Sequence, residues 1–378
     1  MDFGFSQEQE MLRATARKFF ENECKSEFVR ARMEEPAGVT DEFWKKLGEQ
    51  GWLGLVYPED FGGTGLGFVD LTVLMEEMGR AVMPGPFFST LLGGLAIMEA
   101  GSADQKKEWL GKISDGQAKT TLAWTEPSAR WDAPGVTTSA RAAGGGFTLT
   151  GTKLFVPDAH LADVLVVVAR TSEGKRPEDG VSLFLVPRGA KGLTTKLLPT
   201  MDQTRKLCEV KLADVAVPSS ALLGSKDGGW APLARVIERA TVALCAEMCG
   251  GAQRVLDMTT EYAKIRIAFG KPIGSYQGVK HKAADMLVDV ENAKSLTYYA
   301  AWAVDENVPE AALAASMAKA YTSDAFRKVS GAGIQLHGGI GFTWEHDLHL
   351  YFKRAKSSEA TFGDATFHRE RVAQLINL

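Results

Sequence analysis

The chain has 378 residues, 45% hydrophobic and 24% charged, the balance of a soluble globular protein with two or three structural regions around a shared interior. Lys and Arg number 43 against 47 Asp and Glu, a net charge of −4, with no basic block to neutralise a phosphate backbone, which excludes nucleic acid as a partner. No apolar run approaches the roughly 20 residues of a membrane helix, and the opening MDFGFSQEQE carries acids where a secretory signal carries bases, so a cytoplasmic protein without membrane contact is expected.

In chain order, residues 6–120 read mostly as helix. Ser6 followed by Glu8 and Gln9 makes a capped start, and Met11, Leu12, Ala16, Phe19 and Phe20 recur at helical spacing. PEDFGGTGLG, residues 58–67, interrupts this as an irregular exposed loop; without a preceding strand or a following Gly-Lys-Ser/Thr it is a poor phosphate loop. From about Thr120 to Val217 the texture changes to β-rich runs, FTLTGTKLFV, DVLVVVAR, VSLFLVP and CEVKLADVAV. With no helices between them they predict an antiparallel sheet, as a small barrel or sandwich. After GSKDGGW the helical period returns over residues 231–265, 276–304, 309–331 and 345–376, enough for a four-helix bundle. The fold class is therefore α+β, divided as 1–119 (helical), 120–225 (β) and 226–378 (helical bundle).

Little of the usual chemistry is on offer. There is no Gly-x-Ser-x-Gly elbow and no His-Glu-x-x-His motif. His346 and His349 stand at i,i+3 on a charged segment and read as solvated. Cys24, Cys208, Cys245 and Cys249 lack further zinc ligands nearby and read as buried free thiols, so no metal is expected. Two segments put glycine and polar groups inside helical country: RIAFGKPIGSYQ, residues 266–277, and QLHGGIGF, residues 335–342. Gly338, Gly339 and Gly341 would leave backbone N–H groups accessible, and Arg266 can grip phosphate oxygens bidentately, which together suit a diphosphate. Alone, the glycines fit a plain helix-to-helix turn equally well.

Over essentially its whole length the chain resembles an acyl-CoA dehydrogenase. The matches are MDFGFSQEQEMLR, GWLGLVYPEDFGGTGLG, WTEP, DGVSLFLVP, YAKIRIAFGKPIGSYQGVKHKAADM and QLHGGIGF, in order. The resemblance implies a helical N-terminal domain, a middle antiparallel β domain and a C-terminal four-helix bundle, with FAD at a subunit interface. It implies that Arg266, Phe269, Gln277, Gln335, Gly338 and Gly339 reach the adenosine diphosphate half of a neighbour's FAD, and that Thr125 faces the flavin ring.

The same resemblance marks departures. Ser128-Ala129-Arg130-Trp131 stand where the family usually has Gly-Ala-Gly-Ser, making a tight polar turn bulky and cationic, and Pro157 stands where many members place a hydroxyl on flavin N5. The family removes an α-proton with a Glu while the β-hydride passes to the flavin. At the usual place for that Glu this chain has Phe362, and at the alternative place on the first bundle helix it has Ala240, followed by Thr241 where a supporting Arg is common. Asp364, Glu359 and Glu247 are the nearby acids; Glu247 reads as a buried structural residue, and no catalytic residue is assigned. TFGDATFHRERVA and ATVALCAEMCGG resemble the small subunits of two-component acyl-CoA dehydrogenases acting on pimeloyl-CoA or on sterol and bile-acid side chains. The partners this implies are an acyl-CoA substrate, a related large subunit supplying the Glu, and an electron-transfer flavoprotein or similar acceptor. A self-sufficient homotetramer with an unorthodox base and a non-catalytic flavin- or CoA-binding scaffold are the rival readings.

Overall fold

The computed structural model describes residues 4–378; Met1–Phe3, the first letters of the MDFGF motif and of the 1–119 region, lie outside the described residues. Six helices open the chain: α1 (Gln7–Glu23), α2 (Ser26–Glu34), α3 (Asp41–Glu49), α4 (Phe68–Arg80), α5 (Phe87–Ala100) and α6 (Ala103–Ser114). α1 starts as read, in a capping box in which Gln9 N donates to Ser6 Oγ and Ser6 N donates to Gln9 Oε1. Ala16 and Phe20 are buried, but Met11, counted with the apolar face, is 62% exposed.

The strands are β1 (Thr120–Ala123), β2 (Ser139–Ala143), β3 (Gly146–Pro157), β4 (Val164–Arg170), β5 (Val181–Pro187), β6 (Leu193–Leu198), β7 (Leu207–Pro218) and β8 (Leu222–Leu223). They form one sheet in the order β6-β7-β3-β2-β4-β5-β8. Most pairs are antiparallel, as expected, with a correction at β4, which has two parallel neighbours: β1, from Thr120 opposite Val164 to Ala123 opposite Val167, and β2, through Ser139 opposite Arg170. The parallel return needs no helix because β2 and β3 provide the crossover. β1 is buried at every position and lies against α5, where a Cβ on Gly93 would come within 2.4 Å of Thr120 Oγ1. The sheet core is Leu149, Val156, Leu165, Val167, Phe184, Val210 and their neighbours.

The rest of the chain is α7 (Trp230–Ile265), a hairpin of β9 (Ile267–Ala268) and β10 (Lys271–Pro272), then α8 (Gln277–Asp305), α9 (Ala311–His337), α10 (Leu348–Ala360) and α11 (Ala365–Leu375). Two long segments match the expected helices, and the third runs on to His337. The fourth, read as one helix over 345–376, is two, because Phe362 (φ 62°) and Gly363 (φ 101°) turn left-handed and Asp364 caps a new helix by accepting from Phe367 N at 2.8 Å.

By internal contacts the chain forms two compact units, one of residues 32–66 and 84–237, the other of residues 4–31, 67–83 and 238–378. The first holds the sheet with α3, α5 and α6. In the second, α4 and α7 meet backbone to backbone: a Cβ on Gly79 would lie 1.8 Å from Glu247 O, and one on Gly250 1.8 Å from Glu76 O. Only glycine allows that approach.

Candidate active site

Six of the seven expected flavin-binding residues gather at one end of the helical unit. α8 and α9 run antiparallel, as Asp289 to Lys328 (2.8 Å) and Asn292 to Tyr321 (3.1 Å) show, so Gln277 at the start of α8 and Gln335 at the end of α9 share an end. The end of α7 joins them through Tyr262, stacked on His337 at 4.3 Å. Arg266 follows α7 directly, and its guanidinium has no protein partner among the described residues. Phe269 and Gly270, both with positive φ, form the two-residue tip of the β9–β10 hairpin, which leaves the Phe269 ring 96% exposed.

The glycines need one correction. The Gly338 N–H is not free for a ligand: it closes α9 by donating to the carbonyls of Ile334 and Gln335, and Gly341 is buried against Ile334 and His337. What Gly338 and Gly339 offer is an open face, since a Cβ on either would meet nothing within 4 Å. Gly338 also adopts φ 64°, ψ −140°, a conformation suited to glycine.

Sequence reasoning missed the apolar surface around this end: Ile265, Ile267, Ile340, Phe342 and Trp344 are all exposed. Five large apolar side chains left to water beside an unpaired guanidinium mark a surface built to be covered. Their clustering within and next to the two glycine-bearing segments was the available signal. An exposed guanidinium, an aromatic platform, two amide side chains and an open glycine face fit an adenosine diphosphate.

The seventh residue, Thr125, belongs to the sheet unit, buried and tied by its carbonyl to Leu154 N at 2.9 Å. Next to it the Glu126 carboxylate accepts from Lys153 Nζ (2.6 Å), Thr137 N (3.0 Å), Thr138 N (2.9 Å) and the Thr137 hydroxyl. Burial opposes its ionisation, but the Lys153 charge and these donors outweigh it and hold the carboxyl below the usual glutamate range. The Ser128–Trp131 turn is bulky, as read, but its charge is cancelled: Asp132 binds Arg130 bidentately at 2.8 and 2.5 Å. Trp131 packs edge-on against Trp124 at 5.4 Å. Pro157 lies on β3 with its carbonyl accepting from Thr121 Oγ1 at 2.6 Å.

At the two expected base positions Phe362 and Ala240 are buried, as is Thr241 beside Ala240. Each nearby acid is engaged. Glu247 is paired with Arg354 inside the helical unit, Glu359 with Lys356 (2.6 Å) and Arg327 (3.2 Å), and Asp364 caps α11. His349, read as solvated, is instead buried, with Nε2 3.1 Å from Trp344 O. Among the described residues no cluster of His, Cys, Asp and Glu could hold a metal, and the four cysteines are buried and free.

Family models for the acyl-CoA dehydrogenase N-terminal, middle and C-terminal domains match residues 6–117, 121–215 and 227–376. The chain belongs to the acyl-CoA dehydrogenase family. Acyl-CoA dehydrogenase IpdE2 of Mycolicibacterium smegmatis is 32% identical over 371 residues, covering 98% of each chain. Among solved structures, the FAD complex of PigA superposes with a TM-score of 0.93 at 26% identity over 100% of both chains. The ChsE4-ChsE5 complex of Mycobacterium tuberculosis does so at 0.90 and 27%, over 100% of this chain and 99% of that one. This acyl-CoA dehydrogenase is thus an FAD-dependent oxidoreductase acting on CH–CH bonds, and among its described residues no helix is long and apolar enough to cross a membrane. Bound FAD supplies the hydride acceptor for α,β-dehydrogenation of an acyl-CoA.

Arg266→Ala is expected to weaken FAD retention about ten- to a hundred-fold, because one charge-assisted contact is worth roughly 1.5–3 kcal/mol. Arg266→Lys should recover part of it. Flavin content and dissociation constant unchanged in Arg266→Ala would place the diphosphate elsewhere.

Proposed function

We propose that this acyl-CoA dehydrogenase is the subunit of a heteromer that lacks the catalytic Glu: Arg266, Phe269, Gln277, Gln335, Gly338 and Gly339 help hold FAD in a related large subunit, which supplies the base. The observation that carries this reading is the state of the acids. Phe362 fills the base position, and Glu247, Glu359 and Asp364 are each committed to a structural partner. The exposed apolar end around Phe269 and Phe342 supports a partner, and the ChsE4-ChsE5 neighbour is itself a complex of two differently named chains. Substrates are acyl-CoA thioesters of the fatty or sterol side-chain kind, and electrons leave to an electron-transfer flavoprotein or similar acceptor. A cytoplasmic location and divisions at 1–119, 120–225 and 226–378 complete the proposal.

Co-expression with a related chain carrying a Glu at the usual base position should give a stable complex that reduces dye in the presence of acyl-CoA, while the isolated chain does not. Phe362→Glu alone should stay inactive and lose about 1–3 kcal/mol of stability, because it puts an acid in an apolar setting. Turnover by the isolated chain at the roughly 1–1000 per second usual for enzymes, or activity gained from Phe362→Glu alone, would overturn the half-site reading.

A further inference from the structure

The turn joining α10 to α11 carries residue 362, and five carbonyls at and around it have donors. A helix end leaves carbonyls without intrahelical donors. Ser357 O accepts from Thr361 Oγ1 at 2.9 Å, Ala360 O from Gly363 N at 3.4 Å, and Phe362 O from His368 Nε2 at 3.0 Å. Two more carbonyls, Glu359 O and Gly363 O, accept from Nζ of Lys319 on α9, at 3.0 and 2.8 Å. The third Lys319 donor goes to Ser323 Oγ at 3.0 Å.

Lys319 is fully buried, and among the described residues it makes no ion pair. An ammonium withdrawn from water without a carboxylate in contact is costly. Here the cost is met by three acceptors for three donors, one of them Glu359 O at the negative end of α10, where a cation is favoured, and one Gly363 O in the turn beyond it. A position that only needed filling would be served by methionine. Lys319 and His368 thus reach the backbone of a turn in which Phe362 and Gly363 take φ 62° and 101°.

We propose that Lys319 is the positioning residue for the base-position turn, fixing the backbone of residue 362 whichever side chain stands there. This rests on reading position 362 as the family's base position, but its test reads geometry rather than turnover, so the two can fail separately. The groups facing the ammonium are Cys245 from α7, Glu359 from α10, and Asp364 and His368 from α11. Burial pushes Lys319 down to about 8, against the pull of Cys245, Glu359 and Asp364; burial also pushes His368 down to about 3 and Cys245 up to about 12. Between about pH 6 and 10, His368 and Cys245 therefore stay neutral while Lys319 titrates. Once deprotonated, it keeps two N–H donors and one of its three acceptors goes without.

The experiment incorporates 4-fluorophenylalanine at position 362 of the full chain as its sole fluorinated residue and follows the fluorine NMR line. A single line is expected at neutral pH, moving with a midpoint near 8. Ser323→Ala removes an acceptor of the charged form and should lower that midpoint by roughly half a unit to one unit. Lys319→Met should split or broaden the line while circular dichroism stays helical. An unchanged line in Lys319→Met, or a wild-type line that does not move across the range, overturns the proposal. If Lys319→Met does not fold, the Ser323→Ala titration decides: an unshifted midpoint overturns it.

Discussion

Arg354→Leu is expected to destabilise the protein by about 3–5 kcal/mol, read as a lower denaturant midpoint and melting temperature. Arg354 and Glu247 are side chains 4% and 5% exposed, joined across α10 and α7, and Arg354 also donates to Met83 O at 3.3 Å. Removing the guanidinium takes away the charge that offsets a buried carboxylate. The double change Arg354→Leu with Glu247→Leu should recover most of the loss, since a buried pair replaced by apolar volume is often neutral in its effect on stability. A double variant less stable than Arg354→Leu would show that the pair contributes more than mutual neutralisation.

Lys153→Met should cost a similar amount, and its effect depends on pH. Lys153 is fully buried and 2.6 Å from Glu126; burial pushes its ammonium down to about 8, so it stays charged at neutral pH. Glu126 is held below the ordinary carboxyl range, so its contribution is present above the unfolded-state value and lost as pH falls through its depressed folded-state value. Without the ammonium the folded carboxyl rises, and acid unfolding of Lys153→Met should begin at a higher pH than in the wild type. Superimposable acid-unfolding curves would show that the Thr137 and Thr138 donors, without Lys153, hold Glu126 ionised. Lys153 Nζ also donates to Trp124 O at 3.3 Å, so the wild-type pair helps hold the backbone next to Thr125, the residue expected to face the flavin.

The order of helical, β and helical regions was legible because apolar residues recur with the right period. β1 was not, because Thr-Thr-Leu-Ala is buried on both faces and shows no alternation. The residues expected to bind FAD were readable as a set, but that Gly338 spends its N–H on α9 depends on a backbone conformation its neighbours do not encode. Lys153 and Lys319 look like surface lysines in the sequence, since charge carries no local sign of burial. The Glu247–Arg354 pair spans 107 positions and exists only once α7 and α10 have packed. The base-position turn was missed, since 345–376 was read as one helix, although Gly363 and the capping Asp364 interrupt the helical pattern there.

The division of the chain into two units has a consequence for synthesis. The unit containing the sheet is complete at residue 237, and domains generally fold as they leave the ribosome. The other unit takes α1, α4 and the helices after residue 238, so its first helices are translated long before their partners. Until α7–α11 emerge, α4 has only α1 as a partner within its own unit, as in the Arg17–Glu77 pair, and the buried surface that the later helices cover is left open, so chaperones that hold apolar helices should associate with this nascent chain in that interval and leave once α11 has been made.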